Sequence, residues 1–175
     1  MEKAACSALE QKMKDYLAVH SRRDLLSLYE DRALTDELIA ALAEPWRGKA
    51  DFVAAPESLG FIVGSLVARQ LGIGFIPIRN AGWSTLEEED RILASYIDHN
   101  NRVKSLHVRR STFPAHSRIL LADDWVDTAA TMQACTTIVE EAENTVAGIV
   151  ALGAGSTEVT RRMAESGALY TIIRP

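Results

Sequence analysis

Residues 51–79 change character three times within about thirty positions, the length of a βαβ unit, and this limits the folds open to the chain. "DFVAA" (51–55) is a short apolar run, and "PESLG" (56–60) breaks it. "FIVGSLVARQLG" (61–72) carries apolar residues at helical spacing and closes on Gly72, and "GFIPIR" (74–79) is apolar and extended again. Strand, helix and strand so close together imply two parallel strands joined by a right-handed crossover.

The alternation continues downstream. "RVKSLHVRR" (102–110) has strand-like alternation at Val103, Leu106 and Val108, and "RILLA" (118–122) is a buried strand. A helix is expected over roughly 130–142, a strand over 145–153, a helix over 156–167 and a terminal strand over 168–174. Residues 80–101 are less regular: their middle is compatible with a helix, and Glu87, Glu88, Glu89 and Asp90 read as a solvated helix face or start. The first fifty residues look helical, with Thr35 as an N-cap, Asp36 and Glu37 in the first turn, and Pro45 as a stop. The expected fold is a single α/β domain over 1–175, a mainly parallel twisted sheet flanked by helices, with a helical N-terminal segment (1–34).

Composition narrows the function. A net charge of −5, with Arg109-Arg110 and Arg161-Arg162 as isolated basic pairs, gives no footprint for nucleic acid or an anionic membrane. No apolar run approaches the ~18 residues of a membrane span. The N-terminus is charged every few residues, unlike a secretory signal. The chain reads as soluble and cytoplasmic. Cys6 and Cys135 lack metal-ligand spacing and read as free thiols. His99, His107 and His116 show no paired ligand spacing and read as surface or structural histidines.

In such a sheet, ligands bind beyond the carboxyl ends of the strands, near the point where strand order reverses. Two loops answer that description, residues 56–60 and residues 123–131, and both lead into a helix N-terminus, where N–H groups favour an anion. Asp123 and Asp124, when ionised, only accept hydrogen bonds and suit neighbouring hydroxyls or the waters of a metal. Thr128 and Thr131 are able to donate to phosphate oxygens, and Ala129 and Ala130 are small enough to let backbone N–H groups reach one. Acids at one end and N–H groups at the other suit a phosphorylated ribose. Plainer readings stand beside this one. Thr128, Thr131 and Asp127 are also good helix caps, Glu57, Ser58 and Gly60 also fit an ordinary β–α turn, and Arg79 also fits a surface charge ending a strand. Trp125 either packs beneath the loop or stacks on a base.

"ILLADDWVDTAAT" resembles the phosphoribosyl-pyrophosphate (PRPP) motif of the type I phosphoribosyltransferases: an apolar strand, two acids, three variable positions, then Thr, small residues and Thr. "APESLGFIVGSLVARQLGIGFIPIRNAG" and "SLHVRRSTFPAHSRILLADDWVDTAATMQAC" extend the likeness, most closely to adenine phosphoribosyltransferases, over residues 35–155. The resemblance implies ribose binding by Asp123 and Asp124, and 5′-phosphate binding by Asp127, Thr128, Ala129, Ala130 and Thr131. It implies pyrophosphate binding by Glu57, Ser58, Leu59, Gly60 and Arg79, and a role for Asp127 near the base. Mg²⁺ would enter with PRPP and water, with no direct protein ligand. The implied substrates are PRPP and a nucleobase, a purine such as adenine, the implied assembly is a homodimer, and residues 1–34 are the hood candidate.

This chain also departs from the pattern. Leu59 stands where adenine enzymes usually carry arginine, and Arg79 is followed by Asn80, Ala81 and Trp83 where lysines are usual. Asp98 and His99 lie nearest to the glutamate of the family's mobile loop, and Ala129-Ala130 replace common glycines. The alternative is a non-catalytic or regulatory nucleotide-binding module that keeps the ribose-phosphate site and lacks the pyrophosphate cations.

Overall fold

The computed structural model describes residues 2–20, 24–81, 88–98 and 100–175. Seven strands form one sheet: β1 (Phe52–Pro56), β2 (Gly74–Asn80), β3 (Arg91–Ile97), β4 (Val103–Arg109), β5 (Arg118–Val126), β6 (Thr145–Ala154) and β7 (Leu169–Ile173). Their spatial order is β3-β4-β2-β1-β5-β6-β7. The pairs β1–β2, β1–β5, β5–β6 and β6–β7 are parallel, while β2–β4 and β3–β4 are antiparallel. Strand order reverses between β1 and β5, so the loops after these two strands open at the switch point.

Helices α1 (Glu2–His20), α2 (Arg32–Ala43), α3 (Leu59–Leu71), α4 (Ala130–Glu141) and α5 (Glu158–Glu165) cover the sheet. β5 shows why apolar runs mark its strands. Ile119 and Leu121 face a core built with Met132, Cys135 and Ile138 of α4, while Leu120 and Ala122 face a core built with Leu38, Leu42, Val63 and Val67 of α2 and α3. A strand buried on both faces needs apolar side chains at successive positions. Leu9 and Met13 of α1, with Leu25 and Leu28 of a 3₁₀ turn at Leu25–Glu30, join the second core. α3 ends on Gly72, whose φ of +73° is the left-handed conformation a glycine cap supplies.

Three expectations require correction. The middle of 80–101 is no helix: Glu88–Asp90 is a 3₁₀ turn leading into β3, which pairs with β4 along its length. Ile92 and Ala94 point into the first core and Leu93, Ser95 and Ile97 point outward, the period of a strand. Glu87 and Trp83 lie outside the described residues. α2 starts before Thr35, because the Asp31 carboxylate accepts from Leu34 N at 3.0 Å, while the Thr35 hydroxyl donates to Leu28 O. β5 runs on to Val126, so Asp123 and Asp124 belong to the strand and the loop begins at Asp127.

The buried indole of Trp46 lies directly on Gly148 of β6, where a Cβ would come within 1.9 Å of a ring carbon. Gly148→Ala is therefore expected to lower unfolding free energy by about 2 kcal/mol through overpacking. Urea denaturation measures this, and an unchanged midpoint would show that the indole has room to move.

Candidate active site

β1 and β5 bring two loops together at the switch point. Gly60, in the first turn of α3, turns its side-chain-free face to β5, and a Cβ there would stand 2.9 Å from Asp123 Oδ1 and 3.2 Å from Pro56 Cδ. The segment 57–60 and the acidic pair are thus one site, and glycine is what lets them touch. Asp123 is buried, and its Oδ1 accepts from Asp124 N at 2.9 Å. Burial, and then the charge of Asp124 beside it, hold the Asp123 carboxyl well above the usual carboxylate range. Asp124 is half-buried.

At residues 127–129 the chain leaves β5 and turns into α4. Ala129 adopts φ +63° and ψ −2°, the left-handed region, and serves as N-cap without a side-chain acceptor. Asp127 and Thr128 thus precede the cap, and the N–H groups at the start of α4 are left for another acceptor. Thr128 is exposed and Thr131 half-buried at a cleft of about 220 Å³ that Asp123, Asp127 and residues 128–132 line. Asp127 packs against Gly155, where a Cβ would lie 3.2 Å from its Oδ1. The Trp125 ring lies on Gly153 of the neighbouring strand, 2.4 Å from where a Cβ would be, and also lines the cleft. It packs against β6 and the edge of the second core.

The 57–60 segment is less cationic. Glu57 Oε2 accepts from Asn80 N at 2.9 Å and lies 3.9 Å from Arg79 Nε. The peptide between Glu57 and Ser58 is cis. Ser58 is exposed, and Leu59 is half-buried against the α2–α3 core. Asp98 staples the β3–β4 turn: its Oδ1 accepts from Asn100 N and Arg102 N at 2.9 and 3.0 Å, and Lys104 Nζ lies 3.4 Å from Oδ2. Those bonds pull its pKa down, the one from Arg102 N foremost. His99 lies outside the described residues.

Three residues at or near the site escape sequence reasoning. Tyr96 and Lys104, register partners across the β3–β4 hairpin, line the cleft of the 127–131 loop. Pairing of this kind is visible only once residues 91–97 are known to be a strand. Tyr29 carries a buried hydroxyl with no hydrogen-bond partner, and burial followed by the charges of Asp124 and Asp123 push its pKa up. An unpaired buried hydroxyl costs about 1 kcal/mol or more. Tyr29→Phe is accordingly expected to stabilise the unliganded protein by about 1 kcal/mol, read from urea denaturation, and a loss of stability would contradict the unpaired hydroxyl.

Among the described residues, no cluster of three or more His, Cys, Asp or Glu is placed to hold a metal ion. No described helix is long and apolar enough to cross a membrane.

The phosphoribosyl transferase domain family matches residues 27–164. An adenine phosphoribosyltransferase of Maricaulis maris (strain MCS10) is 34% identical over 130 residues, 72% of this chain and 70% of that one. One from Thermobifida fusca (strain YX) is 34% identical over 131 residues, 74% of this chain and 72% of that one. The crystal structure of adenine phosphoribosyltransferase from Thermoanaerobacter pseudethanolicus ATCC 33223 has a TM-score of 0.75 at 26% identity, covering 86% of each chain. The Saccharomyces cerevisiae enzyme, complexed with D-2,5-dideoxy-2,5-imino-altritol 1,6-bisphosphate and adenine, has a TM-score of 0.72 at 25% identity, covering 86% of this chain and 85% of that one. With its acidic pair and helix start meeting at the switch point of this sheet, the chain belongs to the phosphoribosyl transferase domain family and is a phosphoribosyltransferase, a pentosyltransferase.

Proposed function

We propose that the chain transfers the 5-phosphoribosyl group of PRPP to adenine and releases pyrophosphate, with Mg²⁺. The observation that carries this reading is the contact of Gly60 with Asp123, which sets the 57–60 segment against the acidic pair. Asp123 and Asp124 accept from the ribose hydroxyls, and Asp127, Thr128, Ala129, Ala130 and Thr131 hold the 5′-phosphate at the start of α4. Glu57, Ser58, Leu59 and Gly60 border the pyrophosphate, with Arg79 as its cation. The adenine relatives and the adenine-bound yeast enzyme favour a purine acceptor.

In the transfer, the C1′–oxygen bond to pyrophosphate breaks and a C1′–nitrogen bond to the base forms. The base nitrogen loses a proton, and Asp127 is the carboxylate placed to receive it. Positive charge develops on the ribosyl centre as pyrophosphate leaves, so the acids beside the sugar and the donors around the leaving group act on the same separation of charge. Asp123 and Asp124 would hold the waters of a Mg²⁺ carried in with PRPP, without ligating it directly, and the ion would offset the charge of the diphosphate. Residues 1–34 serve as the hood, and the active assembly is a homodimer in the cytoplasm.

A second reading follows from Leu59 and Asn80, which leave the pyrophosphate end with Arg79: a nucleotide-binding module with little turnover. A base panel separates the two. Protein, PRPP and Mg²⁺ are mixed with adenine, hypoxanthine, guanine, uracil or orotate, and nucleotide formation is followed. Adenine is expected to be the preferred acceptor; preference for another base would overturn the acceptor, and PRPP binding without nucleotide from any base would favour the module.

A further inference from the structure

A second group of cations lies on the far side of the β2–β4–β3 ribbon. His107 is the register partner of Arg79 on one side and of Leu93 on the other, and Arg109 is the partner of Arg91. Register partners share a face, as do residues two apart on a strand, so Arg79, His107, Arg109 and Arg91 gather on one face. Tyr96 and Lys104, which line the ribose-phosphate cleft, occupy the opposite face. The grouping stands out in a chain of net charge −5.

Acids stand beside two of these cations, Arg79 and Arg109. Glu57 lies 3.9 Å from Arg79 Nε and also accepts from Asn80 N. Asp90 lies 3.5 Å from Arg109 Nη1 and also accepts from Ser111 N and Oγ. A cavity of about 170 Å³ opens among Arg79, His107, Arg109 and Thr112. His107 is only 4% exposed, and its Nδ1 has no hydrogen-bond partner. Burial first, then the charges of Arg79 and Arg91, lower its pKa, against a weaker pull from Glu57. Nearby positive charge and an incompletely satisfied imidazole are both relieved by an anion.

We propose that this face is a second anion site, for a phosphate-type oxyanion, held by the guanidinium groups of Arg79 and Arg109 with Thr112 at its edge. Guanidinium forks match phosphate oxygens in pairs. An anion here stabilises the His107 imidazolium, so His107 takes up a proton as the site fills. Arg79 is shared with the pyrophosphate end, and an occupied site therefore competes with Glu57 for it.

NMR of the histidine side chains in the full-length chain tests this, with His107→Gln assigning the His107 signal. Inorganic phosphate, pyrophosphate and ribose 5-phosphate are titrated separately into the wild type, Asp124→Asn and Arg109→Gln. The expected result is a saturable His107 shift in wild type and Asp124→Asn, with about tenfold weaker binding in Arg109→Gln, as loss of one charge-assisted contact implies. A graded response among the three probes identifies which oxyanion the site prefers. The proposal fails if His107 does not respond to any probe, or if Arg109→Gln binds as tightly as wild type with an unchanged melting temperature. Loss of the shift in Asp124→Asn would assign it to the ribose-phosphate cleft and also overturn the second site. Because no turnover is involved, the result is independent of the acceptor and of catalysis.

Discussion

Replacing Asp123 and Asp124 together by asparagine is expected to weaken PRPP binding about 100-fold, the ~3 kcal/mol that accompanies loss of charged hydrogen-bond acceptors. The same change is expected to cost the folded protein nothing at neutral pH. Asp123 is buried beside Asp124, and both burial and that neighbour oppose its ionisation. Its folded pKa therefore lies above its unfolded value, and the folded state holds the extra proton between the two. Stability from this group is full below the unfolded pKa near 4 and declines as pH rises through the folded pKa. Asp123→Asn alone should accordingly gain stability relative to wild type as pH rises from about 4, by about 1–2 kcal/mol in the range seen when a functional strain is relieved. Thermal unfolding across that pH range and calorimetric titration with PRPP measure the two effects. Equal PRPP affinity in the double variant would remove the acids from the ribose site. A stability difference that shrinks with rising pH would contradict the state assigned to Asp123.

Leu59→Arg is expected to raise kcat/KM for nucleotide formation by about 10- to 100-fold, since one preorganised donor on a developing anion is worth ~2–4 kcal/mol and some is lost to imperfect placement. Leu59 is the first residue of α3, one position before the glycine that meets Asp123. An arginine there adds a cation where Arg79 is already paired with Glu57. Leu59 packs partly against the α2–α3 core, so a small loss of stability, about 1 kcal/mol, should accompany the gain. Steady-state kinetics with PRPP and adenine decide it. Unchanged or lower turnover in a folded Leu59→Arg protein would show that the leaving group is stabilised elsewhere.

The central strands are legible in the sequence because a parallel strand buried on both faces writes an unbroken apolar run, as at residues 119–122. The β3–β4 hairpin is not legible for the opposite reason. Leu93 and Ile97 are apolar yet exposed, which blurs the inside–outside alternation of Ile92 and Ala94, and the acids of 87–90 before them look like a helix start. The start of α2 is misread because Asp31 and Thr35 are both capping residues, and only their partners, Leu34 N and Leu28 O, tell them apart. At the site, the acidic pair, the 127–131 loop and the 57–60 segment are visible as local patterns. The Gly60–Asp123 approach and the placing of the Tyr29 hydroxyl near the acidic pair join elements far apart in sequence, and the Tyr96–Lys104 pair depends on the β3–β4 hairpin that the sequence hides.

The most direct test of the central claim is a single reaction: protein, PRPP, Mg²⁺ and adenine, with nucleotide and pyrophosphate quantified together over time. The expected result is equal amounts of adenosine monophosphate and pyrophosphate, with about 100-fold more PRPP needed by the Asp123→Asn, Asp124→Asn double variant. Formation of neither product by a protein that binds PRPP would contradict it.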